Sequence, residues 1–436
     1  MLKESLKYFF LTLIAAACLI FGAVCFRQYL SEKNQPYDPP FDMVSAAAYA
    51  ATPDVEELSG QNGAGEATPE NTPIPTPAPT PAPTPESFES RLRRSISSMS
   101  LEEKIGQLMM FGFSGTTAPD AKYLQIFRDY QIGNFLLLGP NIDRKDSSGG
   151  FETCRILTSA LQQEERIPAL ISIDVEGGKV IRFQWDQWPE SAASLGKKGD
   201  MIAAEEQFLR IAVQLRNSGI NVDLAPVLDI SENPLETVLK TRIISSDTDT
   251  VSAIGTSVIR GIQEGGCLSA AKHFPGHGGT TADSHDKLPV IRKSLDELMG
   301  YDLVPFRAAV DAGVDLVLIA HILYPEIDPD QPASLSERFM TDLLREEMGF
   351  EGIIISDDFR MKGLTDGRTV GDAAVRFLLA GGDMILCGPN SDYQKQIAAA
   401  VTEAAEQGIL SQDRIDESMY RILLKKHLVT DWEPDN

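Results

Sequence analysis

Short apolar runs that stop abruptly at polar residues recur along this chain. Residues 169–173 run into Asp174-Val175-Glu176-Gly177-Gly178, and residues 220–224 into Ala225-Pro226-Val227-Leu228-Asp229. Residues 314–319 end at Ala320-His321, residues 353–355 at Ser356-Asp357-Asp358, and residues 383–386 at Cys387-Gly388-Pro389. Such runs, too short for helices and rich in β-branched residues, suit strands buried on both faces of a parallel sheet. Residues 106–113, 132–138, 268–271 and 288–291 add further candidate strands. Amphipathic stretches of helix length, such as 202–218 and 295–312, separate several of them. Strands alternating with helices, with polar residues gathered at the strand C-termini, predict an α/β fold of the (β/α)8 TIM-barrel type, whose active sites lie on that face. A doubly wound sheet is the structural rival.

The richest of these strand ends is Lys272-His273-Phe274-Pro275-Gly276-His277-Gly278, followed after four residues by Asp283-Ser284-His285. Lys272 and His273 are poorly suited to a barrel core, so the strand is expected to give out after Ala271, with Pro275 stopping it and the glycines letting a loop approach a ligand. Asp283 and His285, one residue apart on a non-helical segment, can point the same way. The carboxylate then orients the imidazole and raises its pKa. A histidine poised in this way can donate a proton to a leaving group and later take one from a nucleophile. The plainer alternative is a surface loop whose Asp, Ser and His satisfy one another. Of the paired acids Asp357 and Asp358, one is expected to cap the following structure and the other to face a pocket.

The segment from Lys272 to His285 resembles the signature of the β-N-acetylglucosaminidase branch of glycoside hydrolase family 3. Residues 100–107 resemble the family's opening helix, and Asp174 to Arg182 its Asp-x-Glu-Gly-Gly-Arg segment. Residues 221–229 and Ser356-Asp357-Asp358 fit as well, so the resemblance spans about residues 99–428. It implies that Asp357 attacks the anomeric carbon to form a covalent glycosyl-enzyme, while His285, oriented by Asp283, acts as acid and then base in a retaining double displacement. Asp358 is the second candidate nucleophile. Asp174, Arg182, Arg242, Lys272 and His273 match positions that hydrogen-bond the terminal sugar. No cofactor is implied. The chain departs from the family pattern at Lys179, Gly279 and Phe359, where Arg, Asp and Leu are usual. Two other readings stay open: phosphorolysis, because a histidine in place of a carboxylate repels phosphate less, and a wall-binding protein without turnover.

Ahead of this region, Lys3 and Lys7 precede an apolar run from Tyr8 to Phe26, long enough for one membrane span of about 20 residues. Residues 1–30 are read as a cytoplasmic tip and uncleaved signal anchor, with a cleaved signal peptide as the alternative. Residues 31–86, ending in Thr-Pro and Ala-Pro repeats, are read as a disordered stalk favouring extended polyproline conformations. Residues 87–436 form the single catalytic domain. This arrangement places the barrel outside the cell membrane, with cell-wall saccharide as its partner. Cys154, Cys267 and Cys387 are expected to be buried thiols. His277 is read as structuring its loop, His321 either lines the pocket or is a satisfied strand-end histidine, and His427 is expected to face solvent. The formal net charge of −24 argues against a nucleic-acid partner. The histidine spacing matches no standard zinc site, so no metal is expected.

Overall fold

Eight parallel strands pair in the order β7-β6-β5-β4-β3-β2-β1-β8 in the computed structural model, which describes residues 86–163, 165–232, 239–280, 288–364 and 367–434. The expected anchor and stalk, and the Asp283–His285 pair, lie outside the described residues. The strands are β1 (Met109–Gly112), β2 (Asn134–Leu136), β3 (Leu170–Ile173), β4 (Val222–Asp223), β5 (Leu268–Phe274), β6 (Leu316–Ile319), β7 (Ile353–Ser356) and β8 (Ile385–Cys387). Every strand residue is buried, as strands covered by helices on one face and packed against a barrel interior on the other must be. A parallel bridge between Ile355 and Met384 joins β7 to the lead-in of β8 and brings the sheet round to near closure. The result is a TIM-type barrel rather than a doubly wound sheet.

Helices return the chain after each strand. They are α3 (Ala121–Asp129), α4 (Phe151–Gln163), α5 (Ala192–Lys198) with α6 (Met201–Asn217), α7 (Thr248–Glu264), α8 (Val304–Asp311), the π-helical α9 (Arg338–Glu347), α10 (Val370–Leu379) and α11 (Ser391–Glu406). Ahead of β1 come α1 (Phe88–Ser98) and α2 (Leu101–Gln107), and the chain closes on α12 (Gln412–Val429). Ser100 begins α2 through a reciprocal capping box with Glu103, which satisfies two backbone donors the helix end leaves free. Around the foot of the barrel, α12 sends Lys425 to Asp315 at 2.8 Å, and Arg421 and Ser418 to Asp383 at 3.0 and 2.7 Å.

Several expectations need correction. β5 does not stop at Ala271 but continues through Lys272 and His273 to Phe274, and Lys272 is 2% exposed. Its charge is met by acids from the segment just past β3, which removes the objection to a barrel position. Residues 288–291 do not form a strand; Pro289 lacks an N–H for a ladder, and only an isolated bridge links Val290 to Leu323. The expected helix 295–312 is broken into Leu295–Glu297, the π-helical Leu298–Asp302 and α8, which starts beside Pro305. His427 is half-buried, its ring 4.6 Å from that of Phe88 and its Nδ1 3.1 Å from the Trp432 carbonyl oxygen. Cys154, Cys267 and Cys387 are buried and free.

Candidate active site

Asp174, Arg182, Arg242, Lys272, His273 and Asp357 all line one cavity of about 370 Å³ at the C-terminal ends of the strands. Asp174 is the first residue past β3. Its two oxygens accept from Lys272 Nζ and Arg182 Nη2, both at 2.8 Å. Arg182 is brought back to the cavity by the turn at Gly177 and Gly178. A Cβ on Gly177 would stand 2.1 Å from the Glu190 carbonyl oxygen, and its φ of 86° favours glycine as well. Arg182 itself has φ 52°, uncommon for a residue with a side chain. Its Nε is buried and has no hydrogen-bond partner among the described residues. An unsatisfied buried donor costs ~1–3 kcal/mol, so this nitrogen is available to an acceptor such as water or a ligand oxygen.

Lys272, carried inward by β5, also reaches Glu176 Oε1 at 2.5 Å. Glu176 in turn takes a two-pronged contact from Arg242, at 2.7 and 2.9 Å. Arg242 lies in the short helical turn Lys240–Arg242, and its Nη2 is 3.4 Å from His273 Nε2. The other ring nitrogen of His273 is 2.6 Å from Asp229 Oδ2, and Asp229 Oδ1 accepts the His277 backbone N–H, also at 2.6 Å. Acids and bases therefore alternate around one wall, fed by β3, β5 and the segment after β4.

Burial pushes the carboxyls of Asp174 and Glu176 up, but Lys272, with Arg182 beside the first and Arg242 beside the second, outweighs it and holds both below the ordinary range. The same two carboxylates overcome the burial of Lys272 and keep it charged. Asp229 is also held low, burial being outweighed by His273 and His277. Asp223 behaves oppositely. Burial, reinforced by Asp174 and Glu176, raises it well above the usual range; its Oδ1 accepts the Val175 N–H at 2.9 Å and its Oδ2 has no hydrogen-bond partner among the described residues.

Asp357 follows β7 directly, and its Oδ1 accepts the Asp358 N–H at 2.8 Å. Burial pushes its carboxyl up, but His273, His321, the Asp358 N–H and His277 together bring it below the ordinary range, so it is ionised at neutral pH. Asp358 is engaged elsewhere, accepting from Arg360 Nε and Nη2 at 2.9 and 2.6 Å and from the Gly388 N–H at 3.0 Å. Both acids line the cavity; Asp358 is tied by Arg360 and the Gly388 N–H and braces the β7 and β8 loops, which leaves Asp357 the less encumbered of the two candidates. An ionised carboxylate opposite a wall of fixed donors is suited to attacking an electrophilic carbon whose hydroxyl substituents those donors hold.

His277 is 3% exposed and lines the cavity, its backbone N–H donating to Asp229 Oδ1 at 2.6 Å. His321 is buried at the end of β6 and is not among the residues lining the cavity; its Nδ1 is 2.7 Å from Ser334 Oγ, while its Nε2 has no hydrogen-bond partner among the described residues, so it is neither a lining residue nor a fully satisfied one. Glu176 and Asp229 were not singled out from sequence. Both stand just past an apolar run, the same signal that marked Asp174 and Asp357. Among the described residues no group of three or more His, Cys, Asp and Glu stands together as a metal site.

The sequence model of the glycosyl hydrolase family 3 N-terminal domain matches residues 100–424. The chain belongs to glycosyl hydrolase family 3. Within that family it falls in the β-hexosaminidase branch. Over 260 residues it is 34% identical to a β-hexosaminidase of Methylobacillus flagellatus, covering 56% of this chain and 72% of that one. It is 31% identical over 332 residues to β-hexosaminidase A of Pseudoalteromonas piscicida, covering 70% of this chain but 55% of that relative, so it spans about half of that protein's length. The structure of a family 3 β-N-acetylglucosaminidase from Paenibacillus sp. superposes with a TM-score of 0.72 at 35% identity, over 76% of this chain and 63% of that one.

Proposed function

We propose that this family 3 chain is a retaining exo-β-N-acetylglucosaminidase that removes terminal β-linked N-acetylglucosamine from cell-wall-derived saccharides. The observation that carries the reading is the meeting of an ionised Asp357 with the Asp174–Arg182–Lys272–Glu176–Arg242–His273 array in one strand-end cavity, with Arg182 Nε lacking an acceptor among the described residues. In this reading the donors of Arg182, Lys272 and Arg242 hold the hydroxyls and acetamido group of the terminal sugar. Asp357 attacks the anomeric carbon, the glycosidic C–O bond breaks, and His285 gives its proton to the departing oxygen. Water, deprotonated by the same histidine, then displaces Asp357 and releases the sugar with retained configuration. Asp283 accepts a ring N–H from His285 and stabilises its charged form. The anchor and stalk read in residues 1–86 supply the reason to favour wall fragments over intracellular saccharides, since they put the barrel outside the membrane.

The test is sugar release by the full-length protein from an aryl β-N-acetylglucosaminide and from an N-acetylglucosaminyl-N-acetylmuramic acid disaccharide, with and without phosphate. Free N-acetylglucosamine from the wild type and none from Asp357→Ala is the expected result. Sugar 1-phosphate formed only with phosphate would make the chain a phosphorylase, and binding of wall fragments with no turnover would make it a binding protein.

A further inference from the structure

We propose that the loop joining β3 to α5 carries a second saccharide site, an indole platform at Trp188 on the far side of the turn that walls the catalytic cavity, and that it takes a neutral β-linked N-acetylhexosamine chain. The choice of ligand rests on the proposed activity. The loop serves both places. Its first half puts Asp174, Glu176 and Arg182 into the catalytic cavity, and its second half, from Phe183 to Glu190, leads to α5.

That second half is built to stay in one conformation. The Phe183 ring stacks on Phe151 at 4.4 Å, and Trp185 stands edge-on to both, at 5.1 Å from Phe151 and 6.1 Å from Phe183. The Trp185 indole N–H donates to the Ile181 carbonyl at 2.9 Å. The Trp188 indole N–H donates to the Gly178 carbonyl at 3.2 Å, while the Gly178 N–H donates to the Pro189 carbonyl at 3.0 Å. The polar edge of Trp188 is thus tied to the glycine turn whose neighbours Glu176 and Val180 line the catalytic cavity. Its apolar face is left to solvent, with the residue 55% exposed. A fixed, exposed indole has neither the core-packing role of its neighbours nor the freedom to fold back onto the surface.

Beside this face is a second cavity of about 320 Å³, whose walls include Trp185, Gln187, Glu206, Gln207 and Arg210. The Gln207 amide is committed to the Glu190 backbone, at 2.9 and 3.1 Å, and gives the cavity a rigid side. Gln187, Glu206 and Arg210 are exposed at its edge. Aromatic faces combined with amide, carboxylate and guanidinium groups match a pyranose, whose axial C–H faces carry partial positive charge toward the negative face of the ring and whose rim carries hydroxyls. A net charge of −24 disfavours a polyanion and leaves a neutral sugar as the fitting partner.

The experiment compares wild type, Trp188→Ala and Trp188→Phe in the full-length protein, measuring kcat/KM on N-acetylglucosamine tetrasaccharide and on an aryl β-N-acetylglucosaminide, and capture by the insoluble β-1,4-linked polymer. Loss of one aromatic face should lower either the tetrasaccharide-to-aryl kcat/KM ratio or polymer capture by about tenfold in Trp188→Ala. Trp188→Phe, which keeps a ring but loses the indole N–H, should retain most of it. A fall in the tetrasaccharide ratio identifies the strand being cut as the ligand; a fall in polymer capture alone identifies a neighbouring strand. An unchanged ratio with unchanged capture overturns the proposal, as does equal loss in both variants, which would make the residue a loop brace through its N–H. If the wild type cleaves no β-N-acetylglucosaminide at all, the proposed activity fails, and polymer capture still tests the platform.

Discussion

Replacing Lys272 by methionine tests the charge arrangement around the catalytic wall, because methionine fills much the same volume without the ammonium. Lys272 Nζ lies 2.8 Å from Asp174 and 2.5 Å from Glu176, with 3% of the side chain exposed. At an effective dielectric of ~20, each contact at such a distance contributes about 6 kcal/mol before desolvation is counted. Desolvation offsets much of this, and breaking a buried pair by removing one partner costs about 3–5 kcal/mol, because the other partner is left uncompensated. At ~2 °C per kcal/mol for a domain of this size, thermal unfolding should shift down by roughly 6–10 °C at pH 7. The pH dependence carries the argument. Asp174 and Glu176 are held below the ordinary carboxylate range, so their contribution is present above their unfolded pKa near 4 and is lost as pH falls through the lower folded values. Without Lys272 the two acids take up protons more readily in the folded state, and the gap between variant and wild type should narrow from pH 7 to pH 4. Thermal or urea unfolding at both pH values reads this out. A gap of the same size at pH 4 and pH 7 would show that the loss is one of packing, and the electrostatic reasoning would fail.

Other outcomes follow from other parts of the molecule. Asp383→Ala, which strands Arg345, Arg414 and Arg421 around a buried site, should cost about 3–5 kcal/mol in unfolding experiments, with little change in KM for whatever folded enzyme remains. Arg182→Lys keeps the charge but loses the planar fork, and kcat/KM on an aryl β-N-acetylglucosaminide should fall about 10- to 100-fold; an unchanged value would remove Arg182 from the sugar contacts. His285→Ala should slow substrates with poor leaving groups by ~10²–10⁴ and activated aryl glycosides much less. Equal losses on both classes would count against His285 as the proton donor.

The barrel was legible because buried parallel strands have few ways to be written. Ile353–Ser356 and Met201–Asn217 emerged within a residue or two of the expected limits. Where the reading failed, the cause was a partner distant in the chain. Lys272 looked like the end of a strand because no local residue neutralises it; its acids come from the segment just past β3, Asp174 lying 98 positions earlier. Glu176 and Asp229 went unselected for the same reason, since an acid past an apolar run does not declare which base it will meet. The break before α8 needed only Pro305 to be given its due, and His427 needed the fold, because Phe88 approaches it from the opposite end of the domain.

The attachment of α12 to the foot of the barrel bears on how the protein is made. Asp315 and Asp383 are buried carboxylates whose cations include Lys425 and Arg421 on the last helix. While the chain is being synthesised, every strand emerges before those cations do. The barrel can collapse early with Arg345 already opposite Asp383, but Asp315 gains Lys425, and Asp383 gains Arg414 and Arg421, only when α12 docks. Closing the floor of the barrel therefore waits on α12 rather than on the strands themselves.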